Sequence, residues 1–286
     1  MRNDMPSRLR ALLASDLPVR TGPAYDGLTT RIACETGFDA VSVGGYAVAA
    51  SMGYPDVGLV TMTELLSAYR NCTRVSSVPV IGDADTGFGN AVNVMRAVQE
   101  FEDNGLAGMQ IEDQQFPKQC PFLGSSTLIS LDEAVGKIKA AVAARRNPDF
   151  VIKARTDATN LEEAIVRGKA YVEAGADVIY GINKCFPDID AIRHFRQAVG
   201  VPIGFSILGW TESLTHEEVD SVGSCVVGWP FALILSVAGG AHENLKQLKE
   251  GKKVSDLTAP MMRRETLEGM LNIDDVRETH RLYIPD

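Results

Sequence analysis

The chain has 286 residues, is 45% hydrophobic and 23% charged, and carries a formal net charge of −9, with a sequence pI near 5.1. A soluble chain of this length and composition can bury its core without disulfide staples, and it suits one α/β barrel of about 250 residues with additions. The acidic balance argues against nucleic acid and anionic membrane as partners.

Eight strand-like apolar runs alternate with helix-like segments. Leu17–Arg20 precedes a helix predicted over Gly27–Glu35, and Ala40–Val43 precedes one over Thr63–Val75. Val78–Gly82 leads to Asn90–Asn104, where Val92, Met95, Val98 and Phe101 suggest an amphipathic stripe. Gly108–Ile111 leads to Leu131–Arg145, with Ala134, Ile138 and Val142 on one side, and Phe150–Ala154 leads to Leu161–Ala174. Val178–Tyr180 is followed by Ile189–Val199, and then come Val201–Phe205 and Cys225–Gly228. Gly37, Gly105, Gly175 and Gly200 stand where helices hand over to strands, the position that favours a left-handed residue. Eight such repeats predict a (β/α)8 barrel spanning 1–286 as one domain, an open doubly wound sheet being the structural alternative. No GxGxxG opens a helix after the first run, so a dinucleotide site has no support.

Pro230–Lys249 reads as helical, followed by a polar turn at Glu250-Gly251-Lys252-Lys253 and helical stretches over Arg263–Met270 and Asp274–Tyr283. Met261, Met262, Leu267, Met270 and Leu271 make this tail too apolar for a free linker, so 230–286 is expected to pack as a helical extension on a neighbour. Cys34, Cys72, Cys120, Cys185 and Cys225 are scattered and form no CxxC pair, which points to a reducing, cytoplasmic setting without structural zinc. Met1–Leu13 lacks the apolar stretch of a signal peptide, and no run reaches the ~20 apolar residues of a membrane span.

The chemistry concentrates at the ends of three successive runs. Val80–Asn90 closes on Asp83 and Asp85 and then on a glycine-rich loop. Strand alternation puts carboxylates at i and i+2 on one face, an arrangement that calls for a cation. A divalent metal is one answer; a solvated turn with capping aspartates is the other. The next two runs close on Glu112-Asp113 and on Arg155-Thr156-Asp157. In parallel barrels such C-terminal ends converge and carry the site. His194, His216, His242 and His280 have no ligand spacing.

With these motifs the chain resembles the isocitrate lyase/phosphoenolpyruvate mutase superfamily, above all its short members, the methylisocitrate and dimethylmalate lyases and oxaloacetate hydrolase. The resemblance runs from Gly22-Pro23-Ala24-Tyr25-Asp26 to Val227-Gly228-Trp229-Pro230 and includes Gly37-Phe38-Asp39-Ala40, Gly45-Tyr46-Ala47, Pro55-Asp56-Val57-Gly58, Asp83–Gly89, Ile111–Gln114, Pro117-Lys118-Gln119-Cys120 and Ala154–Asp157. It implies a barrel whose last helix is swapped between subunits of a homotetramer, a dimer of dimers. It implies Mg2+ (or Mn2+) bound directly by Asp85, with Asp56, Asp83 and Glu112 holding metal waters. It implies a small carboxylic acid substrate and a carbon–carbon lyase passing through an enolate, with Cys120 on a mobile loop as the acid. Such a mechanism has uses for Arg155, which stabilises charge on enolate oxygens, and for Lys118, a cation that lowers the pKa of a neighbouring thiol. The plain reading of Cys120 is a small hydrophobe in a loop.

Four departures from the pattern bear on the substrate. Cys120 is followed by Pro121-Phe122-Leu123 instead of Gly-His, and Gly44 stands in place of a serine, leaving the N–H groups of Gly45 and Tyr46 to cradle a carboxylate. Ile182 replaces a glutamate, with Asn183 next to it, and Ser206 and Gly209 replace an asparagine and a glutamate. These changes predict a less polar far wall and a substrate with fewer carboxylates or with an apolar tail. The competing readings are decarboxylation or hydrolysis of oxaloacetate, phosphonopyruvate chemistry on the same fold, and a metal-binding pseudoenzyme.

Overall fold

The structure is a computed structural model that describes residues 4–121, 124 and 127–284. Helix α1 (Met5–Leu13) leads into β1 (Val19–Ala24), α2 (Gly27–Glu35), β2 (Ala40–Val43), α3 (Gly45–Ser51), α4 (Met62–Val75) and β3 (Val80–Asp83). The alternation continues through α5 (Ala91–Asp103), β4 (Gly108–Glu112), α6 (Leu131–Ala144), β5 (Val151–Thr156), α7 (Leu161–Glu173), β6 (Val178–Gly181) and α8 (Ile189–Val199). It then runs through β7 (Ile203–Ser206), α9 (His216–Asp220), β8 (Cys225–Gly228) and α10 (Ala232–Lys249) to α11 (Arg264–Met270) and α12 (Ile273–Tyr283). The eight strands are parallel, pair in chain order and close through β1 and β8. The (β/α)8 barrel predicted from the repeats is the fold observed, and closure rules out the open sheet.

Local chemistry explains most element ends. Gly37, Gly105, Gly175 and Gly200 have φ between 75° and 98°, as helix termination before a strand requires. Asp26, Thr61, Asn90, Ser130, Asn160 and Asp188 cap the helices that follow them by accepting from backbone N–H groups.

Besides the short helices α3 and α9, which the sequence reading left out, three departures from it are instructive. Strand β1 runs on through Gly22-Pro23-Ala24, paired with Val41, Ser42 and Val43. The residues that discourage strand assignment are there for packing, since a Cβ on Gly22 would lie 2.8 Å from Ala33 and Phe38. The buried stripe of α5 is Val94, Ala97, Val98 and Phe101, while Val92 is 72% exposed. Steps of three residues drift by about 60° around a helix each time, whereas the i, i+3, i+4, i+7 set stays on one face. Helix α1 is the third departure: Pro6 in its first turn and the i, i+4, i+7, i+8 set Met5, Leu9, Leu12 and Leu13 mark it, but the sequence reading did not use them. Its Leu9 and Leu13 pack on Val19, Ala40, Ile81, Ala107, Val151, Val178 and Val226, the residues at the N-terminal ends of the strands, and stop that end of the barrel.

The chain divides into two compact units, 1–233 and 234–286. Within the second, Gln247 is the one buried side chain among the described residues, hydrogen-bonded to Thr258 and Glu243.

Leu9 is fully buried, so Leu9→Ala should cost about 2–5 kcal/mol as transfer and cavity terms combine. Urea unfolding followed by circular dichroism measures this. An unchanged midpoint would show that α1 is not an integral part of the barrel core.

Candidate active site

The C-terminal ends of the strands surround a cavity of about 150 Å3. It is lined by Gly44, Gly45, Tyr46, Asp56, Asp83, Glu112, Lys118, Cys120, Arg155, Asn183 and Ser206, among others. Asp85 lies behind this lining, in a wall it shares with Asp56 and Gly45.

Asp83 closes β3, and the strand ends there. Asp85 reaches the site by a turn: its φ is +47° and its N–H donates to Asp83 Oδ1 at 3.1 Å. Strand parity therefore does not unite the two aspartates; an aspartate-held turn does. Asp83 Oδ2 also accepts from the Gly45 N–H at 3.2 Å. A Cβ on Gly45 would sit 2.9 Å from Asp85 Oδ1, 3.4 Å from Asp83 Oδ2 and 3.7 Å from Lys118 Nζ. Glycine at 45 is what lets these groups gather against the backbone, and its N–H serves Asp83 rather than a substrate carboxylate.

Lys118 Nζ lies 2.5 Å from Asp56 Oδ1 and 2.9 Å from Asp85 Oδ1. Glu112, at the end of β4, meets Arg155 Nη1 at 2.9 Å, and the other face of that guanidinium donates twice to Asp157, at 2.6 and 2.9 Å. Asp113, the neighbour of Glu112, points the other way. It accepts from Tyr171 Oη at 2.6 Å, from Arg167 Nη1 at 3.2 Å and from the Asp157 N–H at 2.8 Å, so it braces the strand ends from outside.

The carboxylates outnumber the ion-paired cations, and burial acts on both. Burial pushes Asp85 up to about 6, with Lys118 pulling against it, and burial drives Glu112 well above the usual carboxylate range against the pull of Arg155. Burial works against the Lys118 ammonium, yet Asp85, Glu112, Asp83 and Asp56 together hold its pKa above the usual lysine value. Asp85 Oδ1 and Glu112 Oε1 are buried without a hydrogen-bond partner, so the Asp85–Lys118 contact is an ion pair without hydrogen-bond alignment. Among the described residues no three acidic, histidine or cysteine side chains converge as a closed metal cage. Mg2+ needs no such cage, since it takes one or two carboxylates and keeps several waters. Hard oxygen donors, two of them orphaned, with an ammonium already drawn between two of the carboxylates, fit that ion in kind.

Cys120 is 6% exposed, and its N–H donates to Asp56 O at 3.2 Å. Its segment is tied down at several points. Gln114 exchanges two 2.9 Å hydrogen bonds with the backbone of Gln119, and Lys184 Nζ donates to Pro121 O. Phe122 and Leu123 lie outside the described residues.

The far wall differs from expectation. Asn183 donates to Ser206 O and Leu208 O, both at 2.8 Å, and to Thr211 Oγ1 at 2.9 Å. Its amide thus pins the end of β6 to the loop after β7, while the residue lines the cavity. Ser206 Oγ is paired with Tyr180 Oη at 2.5 Å, and Ile182 is buried beside them. Sequence reasoning missed Lys153, whose side chain enters the same cavity with Nζ 4.4 Å from the Tyr180 ring centroid. The signal was available: Lys153 is two residues before Arg155 on one strand, so both face the barrel interior.

A sequence profile of the family described as phosphoenolpyruvate phosphomutase matches residues 9–249. The chain is 38% identical over 282 residues to 2,3-dimethylmalate lyase of Eubacterium barkeri, covering 97% of each. It is 37% identical over 272 residues to a probable 2-methylisocitrate lyase of Corynebacterium glutamicum, covering 93% of this chain and 88% of that protein. A crystal structure of phosphonopyruvate hydrolase complexed with oxalate and Mg2+ superposes with a TM-score of 0.89 at 28% identity, covering 98% of this chain and 99% of the other. The chain belongs to the phosphoenolpyruvate phosphomutase family.

Replacing Arg155 by alanine would strip the countercharge from Glu112 and Asp157, whose side chains are at most 1% exposed. The expected loss is about 3–5 kcal/mol in urea unfolding, the usual cost of leaving a buried ion unpaired. A variant as stable as the parent would show that the two carboxylates do not rely on this guanidinium.

Proposed function

We propose that this member of the family is a Mg2+-dependent carbon–carbon lyase. Its substrate is a substituted 2-hydroxy- (or 2-oxo-) dicarboxylate; a 2-hydroxy acid is split into a 2-oxo acid and a second carboxylic acid, as the names of its dimethylmalate and methylisocitrate lyase relatives suggest. The observation that carries the reading is one cavity lined together by Lys118, Cys120, Arg155 and the carboxylates at the ends of β3 and β4, with Lys118 ion-paired to Asp85 and Arg155 to Glu112. Asp85 is assigned as the direct metal ligand, with Asp56, Asp83 and Glu112 around the metal's waters; Mn2+ suits the same oxygens. When bound, the ion supplies positive charge where enolate oxygens develop.

The chain's own groups account for the rest. The 2-hydroxyl passes its proton to a carboxylate lining the cavity, Asp56 or Asp83, and becomes the carbonyl as the adjacent C–C bond breaks, while the bonding electrons pass to the departing carbon as an enolate. Arg155 faces that developing charge. Cys120, held over the cavity with Lys118 two residues before it, delivers its thiol proton to the enolate carbon. The tethers from Gln114 and Lys184 keep the Cys120 segment in place and bulk water out while the enolate exists.

The second reading is decarboxylation or hydrolysis of oxaloacetate, or phosphonopyruvate chemistry. It draws support from Ile182, which puts an apolar side chain in the far wall, and from the fold shared with phosphonopyruvate hydrolase.

The described helices of unit 234–286 expose Leu235, Val237, Leu245, Leu248, Val276 and Leu282. Apolar surface on this scale calls for a covering partner, and a second copy of the chain is the simplest one. A homotetramer in which these helices pack on neighbouring subunits is accordingly part of the proposal. No described helix is long and apolar enough to cross a membrane, and a cytoplasmic setting is proposed.

NMR product analysis with 2,3-dimethylmalate, 2-methylisocitrate, oxaloacetate and phosphonopyruvate should show Mg2+-dependent formation of a 2-oxo acid plus a second acid from one of the first two. CO2 or oxalate from oxaloacetate, or phosphate from phosphonopyruvate, would replace the lyase with the second reading. Cys120→Ser should lower kcat by about 10²–10⁴-fold, the usual worth of a positioned acid. Asp85→Ala should abolish the rise in Tm on adding Mg2+. Light scattering should give the mass of four chains; a monomer would remove the assembly from the proposal.

A further inference from the structure

Lys153 sits on β5 one alternation below Arg155, in register with Gln110 of β4 and Val178 of β6. Its side chain crosses toward β7, where a Cβ on Gly204 would lie 3.0 Å from Lys153 Cε. Nζ ends 4.4 Å from the centroid of the Tyr180 ring, on the cavity wall. The residue is 6% exposed. The neighbouring cations of this wall are occupied: Lys118 by Asp56 and Asp85, Arg155 by Glu112 and Asp157. Lys153 has the Tyr180 ring face and no carboxylate at ion-pair distance among the described residues.

A largely buried amine without a countercharge is costly, and a cation–π contact offsets only part of that. Filling the space between β5 and β7 does not require nitrogen, since a methionine has nearly the same shape. The polar groups beside it are already engaged, Ser206 with Tyr180 and Asn183 with the loop after β7. Lys153 is thus the cation on this side with no carboxylate paired to it among the described residues.

We propose that Lys153 is a specificity-determining residue that takes a carboxylate of the substrate at the β5–β7 side of the cavity, the carboxylate that leaves with the second acid product. The assignment rests on the carboxylate-lyase reading above and names which part of the substrate this wall reads. It also revises the expectation of an apolar far wall: Ile182 removes an acid, and Lys153 adds a base. Burial pushes the Lys153 amine down to about 7, with Asp83 drawing it up and Arg155 pressing it down. A carboxylate within hydrogen-bonding distance restores the charged form.

Succinate and butyrate differ by one carboxylate at nearly equal length, and oxalate reports on the metal side of the site independently. Calorimetric titrations with Mg2+ present would first measure oxalate, then succinate and butyrate on the oxalate-loaded protein, in the parent and in Lys153→Met. The parent should bind succinate at least about tenfold tighter than butyrate, the worth of one charge-assisted hydrogen bond. Lys153→Met should erase that preference while oxalate affinity stays within about twofold. Oxalate binding with no succinate preference in the parent overturns the assignment and leaves the lyase reading standing, whatever the variant's folding. A preference that survives in Lys153→Met overturns it as well. If oxalate fails to bind the parent, the lyase reading falls and this assignment with it. Borohydride reduction in the presence of pyruvate should leave the mass unchanged; an adduct on Lys153 would make the amine a nucleophile and overturn its role as an anion partner.

Discussion

Five carboxylates, Asp56, Asp83, Asp85, Glu112 and Asp157, gather with two cations, Lys118 and Arg155, around the ends of β3, β4 and β5. That imbalance in a buried place is the constraint on which the rest of the site depends. Water cannot screen it, so the chain meets it with geometry. The Arg155 fork divides itself between two strand ends, Lys118 is drawn in from a loop, and glycine at 45 removes the Cβ that would keep the charges apart. Two oxygens still lack partners. A barrel built for stability alone would carry apolar side chains here.

The frame that holds these groups is itself polar, one layer out. Glu112 and Asp113 are adjacent in sequence and opposite in direction, as alternation on a strand demands. One faces the cavity, and the other is bound by Tyr171, Arg167 and the backbone of Asp157. Through Asp113 the end of β4 is fastened to β5 and to α7, so the position of Arg155 is set by contacts that never touch the cavity.

Much of the fold was legible because it is written in local chemistry. Gly27–Glu35, Ala40–Val43, Ile189–Val199 and Cys225–Gly228 lie where the apolar pattern and turn glycines place them. The reading failed where distant contacts override local preference. Gly22 and Pro23 extend a strand because α2 must pack closely over it. Met5–Leu13 is a different case: its own apolar set marks the helix, and the strand starts offer Leu9 and Leu13 a floor. At the site, the carboxylates could be picked out but not the turn that swings Asp85 back, since a positive φ on an aspartate leaves no mark on the composition. Asn183 lines the cavity, but its bonds to the loop after β7 could not be read from the sequence, because they join residues more than twenty positions apart. Lys153 was hidden by its setting, an apolar run in which one basic residue is easily read as surface.

The stopper formed by Leu9 and Leu13 has a kinetic meaning. A barrel sealed at its base is a vessel with a single mouth, and here the mouth is crossed by the Cys120 segment, moored to Asp56, Gln114 and Lys184. Whatever reacts inside arrives and departs through the same opening. Two fragments formed from one molecule would share that opening, so the fragment nearer the mouth bars the way of the one below it.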